Sequence, residues 1–425
     1  MTRCERYGSV IFIYVAVLFT TVASARERET VVETDSKPLP EYSVLYDVGI
    51  VASEKSAHVT IRLWADAKPI KWIRFKIDPN RYRAIRADGE LIEVEGGVEW
   101  HPPKGGGRFR YVFSIDHLRN EEGYDARCAK NWAIFRGEDL VPKMRIRTYT
   151  PARSKSRMRL RLPEGWSAAI PYRRLSGGDY SIDEPRRRFD RPTGWFALGK
   201  MGVVRETIGG ARITIAGPAR QGIRRMDMLA LLKWNLPALG DLFGVLPRRF
   251  QIVSAGDPMW RGGLSAPRSI FLHVDRPLIS EDSTSPLLHE MVHSLMRASA
   301  GSGGNWVVEG IAELYSIELL RRSQTLTESR YESAVEAIRK RARKGGRLRA
   351  GSVTGDTRAK AVVVMWEIDA AIREATSDEK SLDDAVRQLA SKSKRITTKR
   401  FRSVVADVAG RDLKAIFERY APEPN

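Results

Sequence analysis

Residues 285–315 read SPLLHEMVHSLMRASAGSGGNWVVEGIAELY, and this stretch decides how the second half of the chain folds. Ser285 is a typical helix N-cap and Pro286 suits the first helical position, so a helix is predicted from there to about Ala300. Residues 301–304 (GSGG) break the pattern, and a second helix is predicted over residues 306–322. We therefore expect two consecutive helices joined by a short glycine-rich turn.

Two histidines on the first predicted helix have the spacing of a metal site. His289 and His293 are four residues apart, so both imidazoles lie on one helix face and can reach one metal ion. Glu290 lies about 100° round the helix from His289, close enough to place a carboxylate beside a water that the metal activates. The HExxH pattern is moderately specific by itself, so a third ligand is needed to support the site.

The third ligand is predicted on the second helix. Glu309 comes sixteen residues after His293, and the glycine break lets the second helix fold back and present it to the two histidines. Glu313 lies one turn further on the same face, where it can hydrogen-bond a ligand imidazole and fix its tautomer. The alternative is a pair of ordinary solvent-exposed helix carboxylates. We predict one Zn²⁺ per chain, held by His289, His293 and Glu309.

The rest of the sequence predicts an α+β fold with a β-rich part before a helical part. Residues 42–162 alternate apolar and polar side chains between glycine-containing turns, which favours an antiparallel sandwich or saddle. Two strands, over residues 250–253 and 269–274, precede the helices, which continue to the end of the chain. The predicted domains are a β-rich N-terminal domain (26–215), a catalytic domain with HExxH (216–350) and a C-terminal helical part (351–425).

The first 25 residues have the pattern of a secretory signal peptide. Arg3 and Arg6 precede an apolar stretch over residues 9–22, and the small residues 23–25 suit cleavage after Ala25. An uncleaved anchor is the alternative, but 14 apolar residues are short for a membrane span. No other segment is long and apolar enough to span, so we expect an exported protein, periplasmic or secreted, without a transmembrane segment after cleavage.

Charge and cysteine content add two expectations. The net charge is +20 and the basic residues are spread along the chain, so weak association with anionic envelope surfaces is expected and nucleic-acid binding is not. Cys128 is the only cysteine beyond the predicted signal peptide, so no internal disulfide is expected.

HEMVH followed by WVVEGIAELY resembles the HExxH…WxxEGxAxY signature of the gluzincin metallopeptidases. It is similar both to aminopeptidase N-like enzymes and to the glycyl aminopeptidase family. Residues 361–369 resemble the helices that follow the third ligand in the glycyl aminopeptidase family, and residues 401–413 resemble its C-terminal bundle. The resemblance implies a thermolysin-like, mainly helical zinc-peptidase domain that hydrolyses peptides. Because the chain ends soon after the bundle, the PDZ domain usual in the glycyl aminopeptidase family is not expected.

Two positions depart from the family pattern. Arg358 stands where these enzymes carry a tyrosine that steadies the tetrahedral intermediate, and an arginine can stabilise an oxyanion electrostatically. Tyr315 and Tyr331 stay open as substitutes. The edge strand that contacts the substrate in the family corresponds to Gly262, Gly263 and Leu264. In the family a glutamate in this region binds the amino terminus of the substrate, but residues 262–267 (GGLSAP) contain no glutamate.

The sequence therefore predicts a zinc-dependent peptidase in which a metal-activated water attacks the peptide bond, Glu290 acts as general base and Arg358 contributes to catalysis. Its partners would be peptide or protein substrates. The alternative is a catalytically impaired pseudopeptidase that keeps the metal and acts as an envelope interaction module. A third hypothesis, polyanion binding, rests on charge alone.

Overall fold

The structure is a computed structural model that describes residues 39–64, 66, 69–121, 123–183, 189–349, 351–391 and 395–422. The predicted signal peptide lies outside these residues. Residues of the segment Pro40–Asn425 belong to one compact unit. Among the described helices, none combines the length and the apolar character needed to cross a membrane.

Strands dominate the described chain up to residue 200. Val, Ile, Tyr and Phe alternate with charged residues along most of them, which suits a sheet with one buried and one solvated face. The strands of this part are β1 (Glu41–Val51), β2 (Ser56–Leu63), β3 (Ile70–Lys76), β4 (Tyr82–Ala87), β5 (Glu90–Val94), β6 (Gly97–His101), β7 (Gly107–Ser114), β8 (His117–Asn120), β9 (Gly123–Cys128), β10 (Trp132–Arg136), β11 (Met144–Thr148), β12 (Arg153–Arg161), β13 (Ser167–Ala169), β14 (Arg173–Arg174), β15 (Tyr180–Ile182) and β16 (Trp195–Gly199). A 3₁₀ turn (Ala52–Glu54) and a short helix, α1 (Gly137–Leu140), interrupt them.

These strands form three sheets with the orders β14-β15-β12-β1-β2-β7-β4, β11-β3-β6-β5 and β13-β16-β10-β9-β8. Most neighbouring strands run antiparallel, as the alternation in the sequence predicts. The pair β1 and β12 runs parallel, which is a departure from the predicted antiparallel domain. No hairpin constrains this pair, because β12 reaches the edge of β1 after the chain has passed through the other two sheets.

The second half of the chain begins with a fourth sheet and continues mainly as helices. Its order is β17-β18-β19-β21-β20, with β18, β19 and β21 parallel and β20 antiparallel at the edge. Its strands are β17 (Met201–Ile208), β18 (Ala211–Pro218), β19 (Arg249–Ala255), β20 (Gly263–Ala266) and β21 (Ser269–His273). The helices are α2 (Arg225–Phe243), α3 (Pro286–Met296), α4 (Asn305–Arg322), α5 (Glu328–Ala342), α6 (Gly355–Ala375), α7 (Leu382–Ser391), α8 (Thr398–Ala409) and α9 (Lys414–Tyr420).

The packing of β16 against the fourth sheet holds β20, the edge strand of that sheet, in place. The Trp195 indole Nε1 donates to the Leu264 carbonyl at 2.9 Å, and the Gln251 side-chain amide donates to the carbonyls of Ala169 and Trp195, each at 2.9 Å. Trp195 and Phe271 are fully buried in this contact. Buried hydrogen bonds of this kind hold β20 in one position, which matters because β20 borders the candidate site.

The α+β class is confirmed, as are the strands predicted around residues 250–253 and 269–274. The first helix ends at Met296, four residues before the predicted end, because Arg297 adopts a left-handed backbone with φ 50°. Helix α6 begins at Gly355, so Arg358 lies in its first turn. The domain boundaries and the thermolysin-like description stay predictions.

Candidate metal centre

Helix α3 carries the two histidines and is anchored at its start. The Ser285 hydroxyl accepts from the Leu288 amide at 3.3 Å and donates to the Leu278 carbonyl at 2.7 Å, which caps the helix and ties it to the preceding loop. The apolar face of the helix is buried in the core, so the side chains of His289 and His293 are attached to a rigid helix. Their ring centroids are 4.7 Å apart and the rings are nearly perpendicular, at 79°.

The turn between α3 and α4 is held by the chain near Ile396. The Gly301 amide donates to the Ile396 carbonyl at 2.7 Å. At Gly304 a Cβ atom would lie 1.9 Å from the same carbonyl oxygen, so no other residue fits there without a shift of the backbone. The Thr398 hydroxyl donates to the Gly303 carbonyl and accepts from the Trp306 indole, which links the turn to the first turn of α4. The start of α4, and with it Glu309, is therefore fixed by tertiary contacts.

The three predicted ligands meet at one point. The Nε2 atoms of His289 and His293 are 3.1 Å apart, and the Glu309 carboxylate oxygens lie 3.7 Å and 3.5 Å from them. In a tetrahedral zinc site with metal–ligand bonds near 2 Å, neighbouring ligand atoms lie about 3.3 Å apart. The observed distances are close to that value, and two imidazoles with one carboxylate are a donor set that zinc accepts in catalytic sites. The arrangement therefore fits a zinc ion.

Glu313 contacts the first of the predicted ligands. Its Oε2 atom lies 2.9 Å from His289 Nδ1, a charge contact that favours a proton on Nδ1 and would leave Nε2 to a metal, although its angle is not that of a hydrogen bond. The sequence predicted this contact from the one-turn spacing between Glu309 and Glu313. Such a partner stabilises the imidazole in one orientation before a metal arrives.

Arg358 also contacts two of the three carboxylates of α4. Its guanidinium nitrogens lie 3.4 Å from Glu309 Oε2 and 3.6 Å from Glu313 Oε2, while its Nε is buried without a hydrogen-bond partner among the described residues. Close helix packing brings it there, because a Cβ at Gly310 would lie 3.0 Å from the Ala361 Cβ. Small residues at this crossing let α6 approach α4.

Glu290 faces the edge strand β20. A Cβ atom at Gly263 would lie 2.6 Å from Glu290 Cγ and 2.8 Å from its Oε1, so the carboxylate occupies the space that any other side chain at Gly263 would need. Burial raises the pKa of the Glu290 carboxyl, and the charge of Glu309 adds to that effect. The His289 imidazole and the Ser265 backbone amide act in the opposite direction. A carboxyl with a raised pKa is suited to exchange protons near neutral pH.

The ligand residues have strongly shifted pKa values. Burial disfavours a charged imidazole, but hydrogen bonds with Glu309 and Glu313 outweigh it and raise the pKa of His289 to about 9. Burial and the neighbouring His289 charge lower the pKa of His293 to about 4. Burial alone would raise the pKa of Glu309, but its histidine neighbours and Arg358 bring it down to about 2. A metal ion at these atoms would compete with a proton, because an imidazole must be neutral to bind a metal.

The residues predicted for the substrate strand have unequal surroundings. Gly263 borders Glu290, whereas Leu264 is buried in the core beside Trp195 and contributes no side chain to the site. Gly262 precedes β20, and its missing side chain leaves room for the Trp260 ring, whose atoms would lie about 2.0 Å from a Cβ there. Their role towards a substrate stays a prediction.

Sequence reasoning missed two contacts of this strand. The Ser294 hydroxyl on α3 donates to the Ala266 carbonyl at 2.7 Å, and the Ser265 backbone amide faces the Glu290 carboxylate. Both contacts tie α3 to β20 next to the histidines. Ser294 follows His293 directly in the sequence, but only its place opposite β20 gives it this role.

Neither tyrosine that was left open as a substitute has a free hydroxyl. The Tyr315 hydroxyl donates to Asp383 at 2.6 Å in the interior, and the Tyr331 hydroxyl donates to Glu318. Burial raises the pKa of Tyr315 well above its usual range. Arg358 is therefore the residue of these three that contacts the metal-ligand cluster.

We expect Gly263→Val to lower any activity of this site by at least a hundredfold, because its side chain would displace the Glu290 carboxylate. Gly49→Val is the matched control, since a Cβ at Gly49 in β1 meets no atom within 4 Å. Zinc content, melting temperature and peptide hydrolysis of both variants give the test. Unchanged hydrolysis by the Gly263 variant would contradict the placement of the Glu290 carboxylate against Gly263.

Comparison with known proteins places the fold. No protein-family model matches the chain, and no curated protein matches it. The structure is similar to a crystal structure of an aminopeptidase N family protein from Idiomarina loihiensis, with a TM-score of 0.63, 14% sequence identity, and coverage of 82% of this chain and 70% of that chain. It is also similar to an M1 zinc metallopeptidase from Deinococcus radiodurans, with a TM-score of 0.59, 13% identity, and coverage of 91% and 95%.

A single-residue variant of the Deinococcus protein has the same TM-score of 0.59, with 14% identity and coverage of 91% and 96%. At these identities the likeness establishes the fold and leaves the activity to be argued from the site. The chain therefore has the fold of aminopeptidase N family and M1 zinc metallopeptidase structures, which confirms at the level of the fold the gluzincin, aminopeptidase-like resemblance seen in its sequence.

Proposed function

We propose that this protein is a zinc-dependent peptidase that uses His289, His293 and Glu309 as metal ligands and Glu290 as general base. One observation carries the proposal: the three ligand side chains converge within 4.8 Å of one another, and a buried carboxylate with a raised pKa stands beside them against an edge strand. A set of solvent-exposed helix carboxylates would show neither the convergence nor the burial.

The chemistry follows from the division of roles among these residues. When bound, zinc supplies a Lewis acid that makes water more acidic and polarises a carbonyl group. Glu290 takes the proton from the attacking water and passes it to the leaving amine, a role that its raised pKa favours near neutral pH. Glu313 keeps His289 in the tautomer that leaves Nε2 available.

Arg358 is assigned to the oxyanion that forms when the peptide carbonyl is attacked. Support comes from its buried Nε, which has no hydrogen-bond partner among the described residues, and from its contact with Glu309, which puts a permanent positive charge beside the proposed metal ligands. A preorganised cation in a site that excludes water stabilises developing negative charge. Unlike a tyrosine, an arginine has no proton to exchange at neutral pH.

The substrate is proposed to lie in extended form along β20 near Gly263, where it would add a strand to the free edge of the fourth sheet. Residues 262–267 contain no acid, so this strand offers no carboxylate to a free substrate amine. We therefore propose that the protein hydrolyses peptide bonds, and the proposal does not specify cleavage from a free amino terminus.

A second candidate function is a pseudopeptidase that binds zinc without turnover. The ion pairs of Arg358 with Glu309 and Glu313 favour it, because a cation fixed to a metal-ligand carboxylate weakens that ligand. The peptidase is preferred because a base carboxylate held against Gly263 has no evident use in a site that only binds metal.

The test uses purified protein and a panel of fluorogenic peptides, each with a free and an acetylated amino terminus. We expect hydrolysis that a chelator removes and added Zn²⁺ restores, with one zinc per chain by elemental analysis. Preference for the free amine would assign aminopeptidase activity. Full zinc occupancy without hydrolysis of any peptide would instead identify the pseudopeptidase.

Export is proposed as well, on the strength of the N-terminal pattern alone. The mature protein recovered from the source cell would then begin at Arg26. Mass spectrometry of the intact protein measures this directly, and a mass that includes residues 1–25 would favour the uncleaved anchor.

A further inference from the structure

The outer face of the seven-stranded sheet carries a row of cations along β12. Arg153, Lys155, Arg157, Arg159 and Arg161 occupy alternate positions of this strand, and the nine residues of β12 include no acid. Alternate residues of a strand point to the same face, so all five side chains lie on the solvent side. The row is about 27 Å long at the rise of a β-strand.

The positive charge also extends across the sheet. Arg157 lies beside Leu45 of β1, Leu45 beside Arg62 of β2, and Arg62 beside Arg108 of β7, so one line perpendicular to the strands contains three arginines. Arg62 and Arg108 are directly opposite each other, an arrangement of like charges that destabilises a sheet. We name the five cations of β12 together with Arg62 and Arg108 the basic face.

Internal ion pairs leave much of this charge uncompensated. Arg159 forms a two-point ion pair with Asp179, Arg161 forms one with Asp47, and Lys155 lies 4.0 Å from Glu41, so these three cations are partly compensated within the protein. Among the described residues no carboxylate lies within ion-pair distance of Arg62, Arg108 or Arg157, although the Arg62 guanidinium lies over the Trp64 ring, 4.9 Å from its centroid. An external anion would therefore relieve the repulsion within the face.

We propose that the basic face docks this protein on an anionic phospholipid bilayer. Charge complementarity supports this partner, because each basic residue close to an anionic leaflet strengthens the attraction. Arginine, which makes up all but one of these cations, binds phosphate oxygens with two parallel hydrogen bonds. The cations extend in two directions, along β12 and across four strands, and a bilayer presents phosphates over a plane of that kind.

Nucleic acid is a weaker match for the same face. Single strands are bound by aromatic side chains that stack on bases, but the outward positions of β12 hold only arginine and lysine, and the Trp64 ring after β2 is already covered by Arg62 at 4.9 Å. A duplex presents its phosphates along a narrow rod, which would leave part of a two-dimensional array of cations unused.

The experiment is co-sedimentation of the purified full chain with vesicles of phosphatidylcholine, with and without about one third phosphatidylglycerol, at moderate salt. We expect binding to the anionic vesicles only, and a decrease as salt is raised. The triple variant Arg62→Gln, Arg108→Gln, Arg157→Gln should lose roughly 100-fold in partitioning, since each basic residue near the surface contributes roughly a factor of five.

The matched control is Arg339→Gln, Arg343→Gln, Arg347→Gln, three exposed arginines at the end of α5 and in the following loop, which changes the net charge equally. It should bind vesicles within about threefold of the wild type. An equal loss of vesicle binding in both triple variants would show that net charge alone determines binding, and it would overturn the proposal. So would equal binding to neutral vesicles, or tighter binding of duplex DNA than of vesicles by the wild type.

Docking is independent of the proposed peptidase activity, because the basic face and the metal ligands belong to different sheets and helices. Hydrolysis of a soluble peptide by the basic-face variant should equal that of the wild type. Failure of docking would thus leave the peptidase proposal untouched, and a protein without hydrolysis could still bind vesicles.

Discussion

Replacing Glu290 by glutamine is expected to lower peptide hydrolysis by about a thousandfold while the protein keeps its zinc. The amide has nearly the same shape as the carboxylate and fits the same space against Gly263, but it cannot take a proton from water. Glu290 is not among the three converging ligands, so the metal donor set stays complete.

The measurement is the rate of hydrolysis together with zinc content and melting temperature of the variant. Glu336→Gln, at an exposed position of α5, is the matched control and should behave as the wild type. Activity within a few-fold of the wild type in the Glu290 variant would exclude this residue as general base, whatever the state of the metal site.

Replacing His293 by alanine is expected to remove both zinc and hydrolysis. Only His289 and Glu309 would remain as ligands, and loss of a direct ligand costs more than the 10–100-fold in affinity that is typical of the groups behind the ligands. Added zinc should raise the melting temperature of the wild type, because a ligand that binds only the folded state stabilises it, and should leave that of the variant unchanged.

His58→Ala provides the matched control for the histidine variant. His58 is on β2 with its side chain more than half exposed, so its loss should change neither zinc content nor hydrolysis. Zinc retained at full stoichiometry by the His293 variant would contradict the assigned ligand set. Taken with the Glu290 variant, this result separates loss of the metal from loss of the base.

Local patterns in the sequence predicted much of the site. The four-residue spacing of His289 and His293 determines that they share a helix face, and the one-turn spacing of Glu309 and Glu313 does the same on α4. Ser285 and Pro286 predicted the start of α3, which the hydrogen bond from Leu288 confirms. Such features depend on neighbours within one turn of helix, and residues that close in the chain have little freedom to be elsewhere.

The position of Arg358 could be predicted only in part. Its place in the chain suggested a residue near the reacting group, but its ion pairs with Glu309 and Glu313 depend on the close crossing of α4 and α6 at Gly310. Arg358 lies in the first turn of α6, which begins at Gly355. No local pattern predicts either contact, because the two helices are separated by α5 and a loop.

The basic face is a similar case in the first half of the chain. The alternation of arginine along β12 is visible in the sequence, but basic residues are also spread along the rest of the chain, so the sequence alone does not single out this row. Arg62 and Arg108 join the row only through the pairing of β12 with β1, β1 with β2, and β2 with β7. Strand order is a non-local property, so the sequence showed the cations without showing that they share one face.

By itself, then, the sequence determined the α+β class, the helix that carries HExxH, and the identity of the residues able to bind a metal. Only the tertiary structure decided that these residues meet, that Glu290 occupies the space left by Gly263, and that Arg358 lies beside the ligands. The physical reason is the range of the forces involved. Hydrogen bonds and side-chain spacing within a helix act over a few residues, whereas the meeting of α3, α4, α6 and β20 depends on how the whole core packs.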